Sequence, residues 1–270
     1  MVDLAYVTSD GERVELDSPS SSCDGLEIRG REWSYSIAGR IVKGIAENAV
    51  KASVRWACRD PEAADAAFAA FDRDAMAGKP GKVVSRGWER PAYCLETAVR
   101  GWHGPSGSLV ADLGFVLVGS WRRFSSRQFL PVPPLSVFGF PFGYPHGYGY
   151  DGAMMTVDTG ADTPCRARLI VYGPVSSPRI VIGGNAYEVH ADIPKGAHMV
   201  IDGMERTVEP VLEDGTVRDD FAKAERGGGE GSGSYIFEPI KPGPQRISWA
   251  GSYGVDVGWW HERMALPWAR

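Results

Sequence analysis

The stretch RLIVYGPVSSPRIVIGGNAYEVHADIPKGAHMVIDGMERTV, residues 168–208, decides the fold class of this chain. Short apolar segments follow one another here, separated by Gly, Pro and Asp residues. Short strands at this spacing, with turn residues between them, are typical of a β-sandwich or barrel. The pattern continues on both sides and predicts strands at 154–158, 166–172, 179–183, 186–190, 197–202, 205–212, 234–238, 245–250, 253–260 and 263–268.

Alternating residues predict strands in the N-terminal half as well. Residues 4–16 predict a hairpin, because Asp10-Gly11 supplies the positive-φ pair that a tight turn needs. Two segments alternate as half-buried strands require: Trp33, Tyr35 and Ile37 in the first, and Val54, Trp56 and Cys58 in the second. Further strands are predicted at 82–86, 93–100 and 109–123.

One helix is predicted, over residues 61–77. Asp60 is the N-cap, Pro61 takes the first helical position and Gly78 ends the helix. Its apolar stripe, which should pack on the sheet, consists of Ala64, Ala67, Phe68 and Phe71.

A segment that interleaves Pro and Gly with aromatic residues divides the chain at residues 131–150. Such a segment cannot hold a continuous ladder of backbone hydrogen bonds. We therefore predict an N-terminal β-rich domain with one helix at 1–130, a hinge at 131–150 and a C-terminal β-sandwich at 151–270. The hinge aromatics are expected to pack over one of the domains or against a neighbouring subunit.

Composition excludes several classes of protein. The formal net charge of -5 comes without any basic cluster, which argues against sequence-specific binding of nucleic acid. No stretch approaches the ~18 apolar residues of a membrane span, and acidic residues near the N-terminus do not fit a signal peptide. The chain is therefore expected to be made in the cytoplasm without a membrane anchor.

Metal, redox and cofactor sites lack their usual spacing. The four cysteines contain no C-x-x-C pair, and the five histidines contain no H-E-x-x-H or i, i+4 pair. No glycine-rich loop has the ending of a phosphate-binding loop, and no G-x-S-x-G motif is present. We expect reduced, mostly buried thiols, no metal, no cofactor and no catalytic residue.

Asp158-Thr159-Gly160, after an apolar strand, is the sharpest catalytic candidate. It resembles the active-site loop of retroviral-type (retropepsin-like) aspartic proteases, in which two such loops share a proton between two carboxylates. The chain has one copy, so activity would require a symmetric dimer. The alternative interpretation is a turn at the end of a strand.

Aromatic residues are concentrated in the last predicted strands, and aromatic rings can stack on sugars. Alternation places Trp249 and Trp259 in the core, which leaves Trp260 and Tyr253 as candidate sugar contacts. A carbohydrate-binding module that recognises the surface of a host cell is therefore an alternative function.

The order of motifs in residues 165–250 resembles the distal tail (Dit) proteins of long-tailed, non-contractile bacteriophages. The residues that carry the resemblance are Tyr172-Gly173, Pro178-Arg179-Ile180, Lys195-Gly196, Ile201-Asp202, Arg206-Thr207-Val208 and Lys241-Pro242-Gly243 before Gln245-Arg246-Ile247. In that family a β-rich ring-forming domain with one helix precedes a galectin-like β-sandwich, and the whole chain fits this outline. The resemblance assigns Asp158-Thr159-Gly160 to the turn that feeds the first sandwich strand.

The same resemblance implies a structural, non-enzymatic protein of the virion, made in the host cytoplasm and placed at the tail tip. It implies a homo-oligomer, a hexameric ring, that connects the tail tube protein to the hub or tail-associated protein of the baseplate. The tape measure protein would be a further partner. Glycans of the host surface stay an open possibility.

Overall fold

Strands make up most of the regular structure in the computed structural model, which describes residues 3–102, 107–132 and 153–268. The described part of the chain contains one α-helix, so the predicted mainly β fold class with a single helix is confirmed. The strands of the first half are β1 (Leu4–Val7), β2 (Arg13–Glu15), β3 (Ser21–Asp24), β4 (Trp33–Ala38), β5 (Ile41–Glu47), β6 (Val50–Cys58), β7 (Gly81–Ser85), β8 (Trp88–Trp102), β9 (Leu109–Leu117) and β10 (Trp121–Phe129). Those of the second half are β11 (Ala153–Asp158), β12 (Arg166–Tyr172), β13 (Val175–Ser176), β14 (Arg179–Ile182), β15 (Asn185–Glu188), β16 (Asp192–Ile193), β17 (His198–Asp202), β18 (Thr207–Val211), β19 (Pro244–Trp249) and β20 (Val255–Arg263).

The chain forms two compact units. Unit 1 comprises Met1–Arg123 and Glu262–Arg270, and unit 2 comprises Phe124–His261. The division falls within β10 and again within β20, whereas the sequence placed it in the 131–150 segment, where the composition changes. Most of that segment, residues 133–150, lies outside the described residues.

Unit 1 is built on an antiparallel sheet with the strand order β2-β1-β7-β8-β9-β6-β3. The predicted hairpin is present, since β1 pairs with β2. In the turn Gly11 takes a φ of 95°, but Asp10 does not take the positive φ that was predicted for it. The helix α1 (Pro61–Ala77) has the predicted bounds. Asp60 accepts hydrogen bonds from the backbone N–H groups of Glu62 and Ala63, and Gly78 ends the helix at a φ of 64°.

The core of unit 1 lies between α1 and this sheet. β6 alternates buried and exposed residues over most of its length, as predicted, and Val54, Trp56 and Cys58 are buried. From α1, Ala64, Ala67 and Phe71 join the same core, and Phe68 packs against it while partly exposed. Trp56 and Phe68 meet edge to face, with their ring centroids 6.0 Å apart.

The first alternating segment, β4, is a strand but is not half-buried. All its residues are exposed, and so are those of β5, because the two strands form a two-stranded sheet of their own. The prediction of a half-buried strand over Trp33, Tyr35 and Ile37 is therefore wrong for the single chain. Alternation predicted the strand correctly, but no other described strand pairs with it.

Unit 2 is a sandwich of two antiparallel layers. β18, β17, β12 and β20 are hydrogen-bonded neighbours in one layer, and β11, β19, β14 and β15 form the other. Trp249 and Trp259 are buried in the core between them, as predicted. Two predicted strands are absent: residues 234–238 form a turn in which Glu238 N–H donates to Tyr235 O, and residues beyond 263 leave the strand geometry after β20.

Candidate assembly surface

The β4–β5 hairpin is short, bent and closed by a two-residue turn. Ala38 pairs with Ile41, and between them Gly39 takes a φ of 63°, as the first position of such a turn requires. The register shifts between Ser34 and Ser36, and in this region Gly44 takes a φ of 62°. A bulge of this kind bends a hairpin and increases its twist.

One face of the hairpin is apolar and exposed. Trp33, Tyr35 and Ile37 share a face by alternation. On the other strand Val42 pairs with Ile37, and Ile45 is on the same face as Glu47, the residue that pairs with Trp33. Their exposed fractions are 42% for Trp33, 61% for Tyr35, 67% for Ile37, 52% for Val42 and 64% for Ile45. We call these five residues the apolar face of the hairpin. An apolar patch of this kind on a soluble protein marks an interaction site.

The opposite face of the hairpin is more polar. It carries Ser34, Ser36, Ala38, Ile41, Lys43 and Ala46. The Ser36 hydroxyl donates to Lys43 O at 3.1 Å, and the Ser34 hydroxyl donates to Ala46 O at 3.3 Å. The hairpin is therefore amphipathic, although no described residue of unit 1 covers its apolar side.

A second uncovered surface lies along β8. β7 pairs with β8 only as far as Ala92, and among the described residues no strand pairs with that edge from 93 to 102. Leu95, Val99 and Trp102 are more than half exposed in this part of β8. We call residues 93–102 the free edge of β8. An unpaired edge with exposed apolar side chains is a template for pairing with another chain.

Charges beside this edge are mutually compensated. The Asp112 carboxylate accepts from Arg55 Nε at 3.0 Å and from Arg100 Nε at 2.7 Å. These two guanidinium groups hold the pKa of the Asp112 carboxyl below its usual range. Lys51 Nζ lies 3.6 Å from Glu96 Oε1. No unbalanced basic patch is formed by these groups.

Sequence reasoning missed both uncovered surfaces. It identified the strands but assigned the β4 apolar residues to the core and gave the free edge of β8 no role. One signal could have indicated the hairpin: residues 33–47 contain two strands joined by Gly39-Arg40, with more apolar residues than a peripheral hairpin needs. The free edge of β8 depends on strand pairing and has no local signature.

The predicted sugar contacts lie in unit 2 but differ in accessibility. Tyr253 is 4% exposed, and its hydroxyl donates to Arg179 O at 2.9 Å and accepts from Arg179 N at 3.2 Å. Burial raises the pKa of this hydroxyl to about 12. Its ring therefore lacks the exposed face that a sugar platform requires. Trp260 is partly buried, with its ring centroid 4.9 Å from that of Phe124.

A groove of about 510 Å³ lies next to Tyr253. Side chains with hydroxyl groups dominate its polar lining: Ser176, Ser177, Ser248 and Ser252, together with Arg179. Ser177 takes a φ of 46°, which is strained for a residue with a side chain.

Asp158-Thr159-Gly160 forms a turn at the end of β11. Asp158 Oδ1 accepts from Gly160 N at 2.9 Å, and Gly160 has a φ of 62°. Thr159 is buried, and its carbonyl accepts from Trp259 Nε1 at 3.2 Å. The carboxylate that a protease would use here caps its own turn.

The remaining chemical candidates are dispersed. Within residues 3–102, 107–132 and 153–268, no three His, Cys, Asp or Glu side chains are arranged to hold a metal, and no helix is long and apolar enough to cross a membrane. None of the four cysteines is in a disulfide, and all but Cys23 are buried. Burial raises the thiol pKa of Cys23 and Cys94 to about 12, which makes both poor nucleophiles.

Three solved structures are similar to this chain over nearly its whole length. The SPP1 Dit (gp 19.1) protein, described as a paradigm of the hub adsorption apparatus in phages that infect Gram-positive hosts, has a TM-score of 0.57 at 9% identity and is matched over 96% of this chain and 99% of its own. The chain has the fold of that protein. A chain of the phage P2 baseplate in its activated conformation has a TM-score of 0.61 with Ca and 0.60 with Sr, both at 9% identity and over 97% of this chain. No protein-family profile and no curated protein matches the sequence.

The match covers both units together. It therefore confirms the fold that the motif order in residues 165–250 predicted. At 9% identity the property that the chains share is the fold.

Proposed function

We propose that this chain is a distal tail protein of a phage, a structural component that forms a ring at the tail tip and connects the tail tube to the baseplate hub. The observation that carries the proposal is the combination of a Dit fold over 96% of the chain with two uncovered surfaces in unit 1. The first is the apolar face of the hairpin, and the second is the free edge of β8.

These two surfaces suit contact between copies of the chain. They are different patches of one unit, so contact between the hairpin of one copy and the free edge of β8 in the next is heterologous. Heterologous contacts form rings when the rotation between copies closes. The number of copies, six, is taken from the family resemblance.

The energetics favour combined apolar and backbone contact. Each large apolar side chain contributes about 1.5–3 kcal/mol when it is fully buried, and association costs about 4–15 kcal/mol. The free energy from burying the five side chains of the hairpin face is therefore of the same order as the free-energy cost of association. Hydrogen bonds to the unpaired backbone at 93–102 supply the remainder, as in strand addition to a sheet edge.

The expected partners and location are those of the distal tail proteins that the chain resembles. The tail tube protein, the hub or tail-associated protein and the tape measure protein are the expected partners, and the tail tip of the virion is the expected location. A ring channel lined without an unbalanced basic patch would let DNA pass, because phosphates bind basic surfaces strongly. This role needs no catalytic group, metal or cofactor.

The experiment is to determine the mass and shape of the purified full chain. Light scattering at micromolar concentration should give a single species with the mass of six copies, and negative-stain images should show rings with a central channel. Monomers alone, even with the hub protein added, would overturn the proposal.

Matched variants test the surface. Ile37→Asp combined with Ile45→Asp places charge on the apolar face of the hairpin and should abolish the ring while leaving a folded monomer. Ser36→Asp on the opposite face is the control and should still form the ring. Rings that survive the double substitution would remove the hairpin from the interface.

A second candidate, binding of glycans by unit 2, is favoured by the serine-lined groove next to Tyr253. Several hydroxyl groups facing an open cavity suit a neutral ligand rich in hydroxyl groups. Glycan-array binding that is lost with Ser248→Trp, which fills the groove, would support this site. Loss with Trp260→Ala instead would assign binding to Trp260, and absence of binding by the natural chain would exclude the function.

A further inference from the structure

The base of the β4–β5 hairpin contains a buried cation with few hydrogen bonds. Arg90, in β8, is 0% exposed. Its Nη1 donates to Gly30 O at a long 3.4 Å, while its Nε and Nη2 make no hydrogen bond. A guanidinium has five donors, and a buried charge without partners costs several kcal/mol. Burial accordingly lowers the pKa of Arg90.

Both ends of the hairpin meet at this guanidinium. Gly30 belongs to the segment that leads into β4, and Glu47 is the last residue of β5. Glu47 Oε1 lies 3.9 Å from Arg90 Nη2, just too far for a hydrogen bond, and the Glu47 side chain is partly exposed. A displacement of about 1 Å at the hairpin base would turn this approach into a paired, two-pronged contact of the kind Arg forms with carboxylates.

The hairpin has few restraints beyond its base. It pairs with no other described strand, and it is bent at a bulge that contains Gly44. At its base Asn48 N–H donates to Glu32 O at 3.2 Å, Asn48 Nδ2 donates to Glu32 Oε1 at 3.3 Å, and Trp33 pairs with Glu47.

We infer that Glu47 and Arg90 form a latch with two positions, open in the free subunit and closed by a two-pronged ion pair when the hairpin docks on a neighbouring copy. This inference rests on the proposed function, because the docking partner is a second copy of the chain. Docking of the hairpin and formation of hydrogen bonds between the buried Arg90 guanidinium and Glu47 then occur together. Both residues act by positioning the hairpin, and neither needs to touch the neighbouring copy.

The latch predicts that Glu47→Gln weakens assembly and spares the fold. The neutral amide keeps the shape of Glu47 but removes the charge, and close buried ion pairs are coupled strongly enough to expect about a tenfold or greater loss of affinity between copies. The affinity is read from the concentration at which rings dissociate. Glu32→Gln is the matched control, because the Glu32 carboxylate lies at the same base, accepts from Asn48 Nδ2 at 3.3 Å and forms no ion pair with Arg90. It should assemble like the natural chain.

A purely structural role would give a different result. In the monomeric Ile37→Asp/Ile45→Asp background, Glu47→Gln should leave the urea midpoint of unfolding unchanged, because the open pair contributes little. A loss of monomer stability without a loss of assembly would make Glu47 an ordinary structural residue and overturn the latch. Arg90→Lys should not restore tight assembly, since Lys cannot make the two-pronged contact.

The ring itself supplies the direct measurement. In its structure at side-chain resolution, two Arg90 nitrogens should lie within hydrogen-bond distance of the Glu47 carboxylate. A ring with this pair still open, or a Glu47→Gln chain that assembles as tightly as the natural one, overturns the latch and leaves the proposed function standing. A natural chain that never assembles overturns both.

Discussion

β6 and β4 have the same sequence pattern and opposite environments. Both alternate apolar with polar or small residues, yet Trp56 in β6 is 1% exposed and Tyr35 in β4 is 61% exposed. β6 lies between β3 and β9 and beneath α1, whereas among the described strands β4 pairs with β5 alone. Alternation thus specifies a strand with an apolar side, but the partner that covers this side is decided elsewhere. For β4 we propose that the partner is another copy of the chain.

The largest expected effect is that of Trp56→Ala in β6. Truncating a buried Trp removes its transfer energy and leaves a cavity, which typically costs about 3–5 kcal/mol. Trp56 also loses its edge-to-face contact with Phe68. We expect this loss in the free energy of unfolding of unit 1, measured by urea titration in the monomeric Ile37→Asp/Ile45→Asp background. A loss below about 1 kcal/mol would mean that β6 is no better packed than β4.

Sequence reasoning succeeded where the determining chemistry is local. The bounds of α1 follow from Asp60, Pro61 and Gly78, whose effects act within one helical turn. The hairpin of β1 and β2 follows in the same way from its turn residues, of which Gly11 takes the positive φ. The core positions of Trp249 and Trp259 follow from alternation, because unit 2 supplies a second layer for them to face.

It failed where the determining contacts are distant in sequence. The sequence pattern placed Tyr253 on the surface. Its hydroxyl instead forms hydrogen bonds with the backbone of Arg179, a residue that only the fold brings near. Residues 234–238 look like a strand, but Tyr235 N–H donates to Asn185 Oδ1 and Ile236 N–H donates to Glu225 O, so the segment turns. The candidate site was missed for the same reason, since an exposed strand and a buried one share their local pattern.

A smaller effect is expected from Asp60→Ala, which weakens the cover of β6. The substitution removes the two hydrogen bonds that Asp60 Oδ1 accepts from Glu62 N and Ala63 N. Loss of an N-cap side chain typically lowers the free energy of unfolding by about 1 kcal/mol. Amide hydrogen exchange of α1 and β6 should accelerate about fivefold, because 1.4 kcal/mol corresponds to a factor of ten. Exchange in β4 and β5 should not change, since a hairpin outside the core opens locally. Equal acceleration in both regions would show that the hairpin and the core unfold as one unit.

The smallest effect on the monomer is expected from Trp33→Ala, the counterpart of Trp56→Ala in β4. Trp33 is 42% exposed and on a hairpin that pairs with no other described strand, so truncation should change the free energy of unfolding of the monomer by at most about 0.5 kcal/mol. The same substitution in the natural background should weaken the ring, because Trp33 belongs to the apolar face that we propose the next copy covers. Urea titration measures the first effect, and light scattering over a dilution series measures the second. A monomer destabilised by 3 kcal/mol or so would place Trp33 in the same class as Trp56. Such a loss would mean that Trp33 is already packed within the single chain. The hairpin would then need no partner to cover its apolar face.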